Sequence, residues 1–262
     1  MNLAALQARR LRLHGLHPSR PLRDARSAAA FVRERGVVMI TGRSSLPVLS
    51  EAIAGRPVRG SWMAAPEVHR IYDIMQGLRR YDLVEVPLIL GKAVLVNPAL
   101  GPAVERIARD RGRRLRARGR LPPLARHLLE AVEAQGSVRM DSWGIRAARS
   151  RPARTQLERE LLVAATGIHT EGGYHTVILR PWRSGRVAAR FGRASRRLGY
   201  DEAADALLLA AVRSAVAAPE REARRWFPFS GDRIEALLDL RAIVRIREGR
   251  VPYLVVGEGY RH

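Results

Sequence analysis

The chain has 262 residues, 47% hydrophobic and 27% charged, as in ordinary folded proteins. It contains no cysteine, which excludes disulfide partners and thiolate metal ligands, and no apolar run approaches the roughly 18 residues of a membrane span. Lys92 is the only lysine among 47 basic residues, and the formal net charge is +22. Because a polyanion relieves the self-repulsion of such a chain, the charge predicts nucleic-acid binding; an anionic membrane surface and an acidic protein are the alternatives.

The first segment predicts the order helix, short strand, helix, helix, hairpin. Apolar residues at helical spacing indicate a helix over "RDARSAAAFVRERG", which Gly36 is placed to end. A buried strand "VVMIT" and a short helix "SLPVLSEAIAG" follow, and Pro66 opens a third helix. Two β-rich runs around a Gly-Lys turn, "LVEVPLI" and "AVLVNP", predict the hairpin.

The second segment repeats this order. "LPPLARHLLEAVEAQG" predicts a helix ended by Gly136, "SVRM" a strand, and "DSWGIRAA" a short helix capped by Asp141 or Ser142. "RTQLERELLVAATG" predicts a third helix in which Thr155 is the N-cap and Glu158 completes a capping box. The stretch "IHTEGGYHTVIL" then occupies the position of the hairpin.

The third segment shows the pattern again. "DEAADALLLAAVRSAV" predicts a helix, "APEREARRWF" a short helix that begins at Pro219, and "SGDRIEALLDL" a helix capped by Ser230. "AIVRIREGRVPYLVVGE" predicts a hairpin with a Glu-Gly-Arg turn.

This recurring order is that of a winged helix-turn-helix module. The sequence therefore predicts an α+β, mostly helical fold of three tandem winged helix-turn-helix modules. The predicted parts are a basic N-terminal helix (1–25), three modules (26–108, 121–182 and 200–262) and two arginine-rich joints (109–120 and 183–199). The joints are either a solvated helix or a loose linker, or they line a phosphate-binding groove shared between modules.

Winged helices place the start of their third helix in the major groove, so the basic and amide residues there are the candidate contacts to double-stranded DNA. The candidates on third helices are His69, Arg70, Arg151, Arg154, Gln156, Arg159 and Arg233. The candidates on the hairpins are Lys92, His175, Arg180 and Arg250. An RNA partner is less favoured, because only 5% of the residues are aromatic and no stacking surface is indicated.

The second hairpin also contains His169, Glu171 and His175, which raises the question of chemistry. A loop of Glu171, Gly172 and Gly173 places the two histidines opposite each other, where they could bind a metal with a third ligand. A turn of Gly172 and Gly173 alone puts them on opposite faces. His169 and Glu171 are the candidate acid–base pair, and the simplest interpretation is a hairpin that contacts phosphate. We expect no metal and no cofactor.

Three tandem modules resemble the bacterial crosslink-repair DNA glycosylase family, whose members stack winged helices around a DNA channel. The stretch "EREARRWFPFSGDRIEALLDLRAIVRIREGRVPYLV" is similar to that family's short aromatic-ended helix, Ser-started helix and closing hairpin. "LQARRLRLHGL" is similar to its opening helix, and "RGVVMITGRSSLPVLSEAIAGRP" occupies the place of its catalytic strand. The resemblance implies DNA binding linked to repair, with hydrolysis of N-glycosidic bonds as the possible activity.

The sequence departs from that family where the family's catalytic residues stand. The family has a Gln-x-Gln or Gln-x-Asp pair, whereas the corresponding residues 38–41 are Val-Met-Ile-Thr, which cannot orient a water. The prediction is thus a DNA-binding protein with glycosylase-like architecture; a non-enzymatic regulatory DNA-binding protein is the alternative. The N-terminus lacks the apolar core of a secretory signal, so we expect a cytoplasmic, nucleoid-associated protein.

Overall fold

A computed structural model describes residues 3–89, 91–117, 119, 121–144, 147–169 and 175–257. The fold is α+β and mostly helical, with small antiparallel sheets, which confirms the predicted fold class at this level. None of the helices in the described ranges is long and apolar enough to cross a lipid bilayer.

Eleven α-helices are present in the described part of the chain, several of them joined by short 3-10 turns. They are α1 (Leu3–Leu13), α2 (Ala25–Arg35), α3 (Leu49–Ala54), α4 (Val68–Gly77), α5 (Gly101–Ala117), α6 (Pro123–Gln135), α7 (Ala147–Arg159), α8 (Arg186–Phe191), α9 (Tyr200–Ala215), α10 (Glu220–Ala223) and α11 (Ser230–Asp239).

Within the same described ranges, nine strands form three sheets of identical connectivity. They are β1 (Val37–Met39), β2 (Val84–Ile89), β3 (Lys92–Val96), β4 (Val138–Arg139), β5 (Val163–His169), β6 (His175–Pro181), β7 (Ala218–Pro219), β8 (Ile243–Glu248) and β9 (Val251–Val256). The sheet orders are β1-β3-β2, β4-β6-β5 and β7-β9-β8. In each sheet a short first strand pairs antiparallel with the second strand of a following hairpin.

The chain divides into two compact units. Unit 1 comprises Met1–Gly101 and Ala204–His262, and unit 2 comprises Pro102–Ala203. Unit 1 therefore contains the first and third sheets, whereas unit 2 contains the second sheet and both arginine-rich joints.

In unit 1, the first predicted segment folds much as its pattern indicates. Asp24 caps α2 through the backbone N–H of Ser27, and Gly36 ends the helix at a φ of 89°, a conformation that favours glycine. Apolar residues of α2, α3 and α4 pack with the strands into one core, in which Val32 and Ile71 are fully buried. The third helix begins two residues after Pro66, at Val68.

Unit 2 corrects two predictions about the second segment. The predicted short helix covered residues 141–148, but residues 141–144 form turns in which Gly144 is left-handed (φ 74°), and residues 147 and 148 belong to α7. Residues 145 and 146 lie outside the described residues. The third helix, α7, begins at Ala147, so Thr155 lies inside it and is not its N-cap. It ends at Arg159 because Leu161 is left-handed (φ 54°), and the chain then enters β5, where the prediction continued the helix to Gly167.

In the third segment, which lies in unit 1, the predicted N-cap of the last helix was wrong. The N-cap of α11 is Phe229, which makes no side-chain capping bond, and Ser230 is the first helical residue. The buried Ser230 hydroxyl instead accepts the backbone N–H of Phe227 at 3.0 Å. The hairpin is confirmed, but its turn is Gly249-Arg250, because Glu248 still pairs with Val251.

Unit 1 joins the two ends of the chain through buried polar contacts. The Ser214 hydroxyl on α9 donates to the Val37 carbonyl at 2.6 Å, and the Ser214 carbonyl lies 3.0 Å from His14 Nε2. The carboxylate of Glu222 accepts from the Ser44 hydroxyl at 2.6 Å and from the Ser45 N–H at 2.7 Å. These contacts fix the first and third segments as one folded unit.

Candidate nucleic-acid interface

The helices that precede the three hairpins (α4, α7 and α11) occupy equivalent places in the chain order, but their exposed faces differ in charge. On α4 the exposed side chains are His69, Tyr72 and Asp73, which together are nearly neutral. Arg70, predicted to contact DNA, is half-buried and donates to the Ile53 carbonyl at 2.8 Å. Its guanidinium therefore holds α4 against α3.

The exposed side chains of α11 include Asp232, Glu235 and Asp239, and the carboxylate of Glu235 is paired with Arg224. The predicted contact Arg233 makes a bidentate pair with Asp205 on α9, at 2.7 Å from Nε and 2.6 Å from the terminal nitrogen. A guanidinium engaged in this way has few donors left for a phosphate. Neither α4 nor α11 presents a basic face to a polyanion.

The exposed face of α7 is basic. Arg151, Thr155 and Arg159 are all exposed, and their i, i+4, i+8 spacing aligns them along one side of the helix. With Pro152 and the half-buried Gln156 they line a shallow pocket of about 430 Å³. Three of the four predicted contacts on α7 therefore lie together.

The fourth, Arg154, points elsewhere on α7. Its Nε lies 3.5 Å from the carboxylate of Glu158, one turn along the helix. Burial raises the pKa of Glu158, and the positive charge of Arg154 lowers it in part. Arg154 thus stabilises a half-buried carboxylate beside the core of unit 2.

The predicted hairpin contacts are at the surface wherever their side chains are described. Lys92 begins β3 beside the turn of the first hairpin, Arg180 lies on β6, and Arg250 lies in the β8–β9 turn; all three are exposed. For His175 the structure describes only the backbone.

The backbone register settles one question about the second hairpin. His169 pairs with His175 across β5 and β6, which is the arrangement expected from a loop that includes Glu171, Gly172 and Gly173. Glu171 itself lies outside the described residues, as do residues 170 and 172–174. No group of three histidine, aspartate or glutamate side chains suited to a metal is found in the portions of the chain that the structure describes.

Residues 38–41, which the resemblance to the glycosylase family aligned with that family's catalytic strand, begin in β1. Val38 and Met39 lie in β1 and are buried, so their side chains belong to the core of unit 1.

A second pocket, in unit 2, was not predicted. It has a volume of about 620 Å³ and is lined by residues of α5, the α7–β5 turn, the end of β6 and α8. At its floor, buried Glu105 accepts the Trp182 indole N–H at 2.7 Å and an Arg109 N–H at 3.0 Å. The i, i+4 spacing of Glu105 and Arg109 was a possible local signal, but nothing in the sequence indicated Trp182.

Most of the charge excess also lies in unit 2. The sequence of residues 102–203 contains 22 arginines and 10 acidic residues, a net charge of +12 over 102 residues. The 160 residues of unit 1 have a net charge of +10. The charge density is therefore about twice as high in the unit that carries the basic face of α7.

In comparisons with protein-family models, with curated proteins and with solved structures, no match to this chain was found. The function is therefore argued from the chain's own residues.

Proposed function

We propose that this protein binds duplex DNA, chiefly through phosphates, and that the basic face of α7 is its main contact surface. The observation that carries the proposal is the exposed row of Arg151, Thr155 and Arg159, with no acidic side chain among them. Arginine forks bind phosphate oxygens in bidentate fashion, and threonine hydroxyls also donate to them.

The fold supports this role for α7. We propose that each helix–strand–helix–hairpin segment is a winged helix-turn-helix module; the repeated sheet orders support this interpretation. In such a module the third helix enters the major groove and the hairpin contacts the flanking backbone. In unit 2 these elements are α7 and the β5–β6 hairpin with Arg180, and α4 and α11 have secondary roles.

The test replaces two arginines on α7 and two elsewhere. In the variant Arg151→Gln/Arg159→Gln, we expect duplex affinity to fall by about 10–100-fold, at about 0.7–1.4 kcal/mol for each lost phosphate contact. The matched control is Arg26→Gln/Arg33→Gln, because both of these arginines are exposed on one face of α2. Fluorescence anisotropy with a labelled duplex, measured over a series of salt concentrations, gives both affinity and salt dependence.

The dependence of duplex affinity on salt distinguishes the loss of phosphate contacts from other causes of weaker binding. The slope of log K against log salt should decrease by about 2 in the α7 variant, since each neutralised phosphate contributes about 0.9. The slope of the control should match that of the wild type. Equal losses in both variants, or binding that is insensitive to salt, would contradict the assignment to α7.

A second candidate function is removal of a damaged base, within a repair role. The backbone register pairs His169 with His175 across β5 and β6 and favours it, because directly opposite residues of antiparallel strands belong to one face of a sheet and histidine is the commonest general acid or base. If it is correct, a panel of alkylated and crosslinked duplexes should yield a released base, and His169→Ala should abolish release while duplex affinity is retained. Tight binding without release from any lesion would leave a non-enzymatic, regulatory DNA-binding protein.

A further inference from the structure

The larger pocket of unit 2 has an excess of positive charge that its own residues do not neutralise. Its lining contains five arginines (Arg106, Arg109, Arg113, Arg183 and Arg196) and one carboxylate, that of Glu105. The lining residues come from segments that are far apart in sequence, so the charge is assembled by folding. A positive cluster of this kind is disfavoured unless an anion occupies it.

Two of the five arginines are engaged within the protein. Arg109 donates to Glu105 at 3.0 Å and to the Gly192 carbonyl at 3.1 Å, and Arg106 lies 3.0 Å from the carboxylate of Asp110. Glu105 is only 4% exposed and is held on its other oxygen by the indole of Trp182. These contacts hold the side chains at the bottom of the pocket in place, and the two arginines and two carboxylates there neutralise each other.

The other three arginines have no such partner among the residues of unit 2 that the structure describes. Arg113 on α5, Arg183 after β6 and Arg196 after α8 are exposed, and no ion pair in the described part of unit 2 involves them. Each guanidinium can bind one face of a phosphate group through two N–H donors. Three guanidinium groups around one pocket offer more N–H donors than a single phosphate group requires.

The volume of the pocket also suits a ligand with more than one phosphate group. Its volume of about 620 Å³ lies within the range of roughly 300–1,000 Å³ typical of small-molecule sites. We propose that this pocket binds a small polyanion with two or more linked phosphate groups, held by Arg113, Arg183 and Arg196. The chemistry is that of a free pyrophosphate or nucleoside polyphosphate, or of a phosphorylated strand end.

The proposal is tested by calorimetric titration of the full chain with inorganic pyrophosphate. We expect one pyrophosphate per chain, and at least about tenfold weaker binding in Arg113→Gln/Arg196→Gln, because two charge-assisted contacts are lost. Both replaced side chains are exposed, so the variant should fold; its circular dichroism and melting temperature verify this. Arg26→Gln/Arg33→Gln is again the control and should bind as the wild type does.

Further titrations distinguish the sources of the phosphates. A nucleoside diphosphate that binds more tightly than pyrophosphate supports a free nucleotide, and tighter binding of a 5′-phosphorylated than of a 5′-hydroxyl single strand supports a strand end. Three results would overturn the proposal: no pyrophosphate binding at millimolar concentration, equal loss in the control, or tighter binding of citrate than of pyrophosphate. Duplex affinity is measured separately with the α7 variant, so this site and the proposed function can fail independently.

Discussion

The buried His14 makes a specific prediction about stability and pH. His14 follows α1, is 2% exposed, and its Nε2 lies 3.0 Å from the Ser214 carbonyl. Burial, together with the nearby charges of Arg10 and Arg35, lowers its pKa from the ordinary 6.5 to about 4, although the contact with Ser214 acts in the opposite direction. The folded protein therefore holds this imidazole neutral, with its Nε2–H donated to the carbonyl.

The size of the effect follows from linkage. Above the unfolded-state pKa of 6.5 the imidazole is neutral in both states, and pH has no effect through it. Between 6.5 and about 4 the unfolded chain binds a proton that the folded chain does not. Each pH unit in this window lowers the free energy of unfolding by about 1.4 kcal/mol, so acidification to about pH 4.5 costs about 2–3 kcal/mol.

The measurement compares the wild type with His14→Gln, whose amide can still donate to Ser214 but does not titrate. Urea unfolding, followed by tryptophan fluorescence at about pH 7 and about pH 4.5, gives the free energy of unfolding of each. The stability of the wild type relative to the variant should fall by about 2–3 kcal/mol between the two pH values, because other groups titrate alike in both. A difference that stays constant with pH would refute the assignment of a buried neutral imidazole.

Three further changes test the packing. In Gly77→Ala the new Cβ would lie 2.7 Å from the Cβ of Ala25. This clash should outweigh the gain in helix propensity of about 1 kcal/mol, so thermal unfolding should show a lower melting temperature. The additional change Ala25→Gly should restore it. The side chains of Asp205 and Arg233 are only 20% and 18% exposed. A double-mutant cycle measured by urea unfolding should give a coupling energy of about 1–2 kcal/mol between them. Zero coupling energy would contradict the ion pair. The variant Pro152→Ala removes a proline from inside α7. Its free energy of unfolding should be about 1–3 kcal/mol higher than that of the wild type, and circular dichroism should show no loss of helix. A lower melting temperature would contradict this.

Local sequence signals predicted much of the secondary structure. Gly36 and Gly136 end α2 and α6 where expected, because a left-handed residue after a helix is most easily supplied by glycine. The hairpins formed where β-branched runs flank a turn, and the spacing of His169 and His175 allowed the register that the backbone adopts. These features depend on neighbours a few residues apart, which a sequence displays directly.

The helix boundaries in unit 2 show where local signals failed. Thr155 and Glu158 have the spacing of a capping box, yet α7 extends eight residues before Thr155 and includes Pro152. The alanines and arginines around Arg149 favour helix, and packing of Ala153 and Leu157 in the core stabilises the longer one. Tertiary packing thus overrode a valid local motif.

By itself the sequence determined the charge, the absence of cysteine and most of the order of helices and hairpins. Only the tertiary structure decided which arginines face a partner. Arg233 is bound to Asp205, 28 residues away, whereas Arg151 and Arg159 remain in solvent. Likewise, Glu105 and Trp182 are 77 residues apart and meet only because α5 packs near the end of β6. A sequence gives the number of charges, but their neutralisation depends on contacts between distant residues, and those contacts exist only in the folded chain.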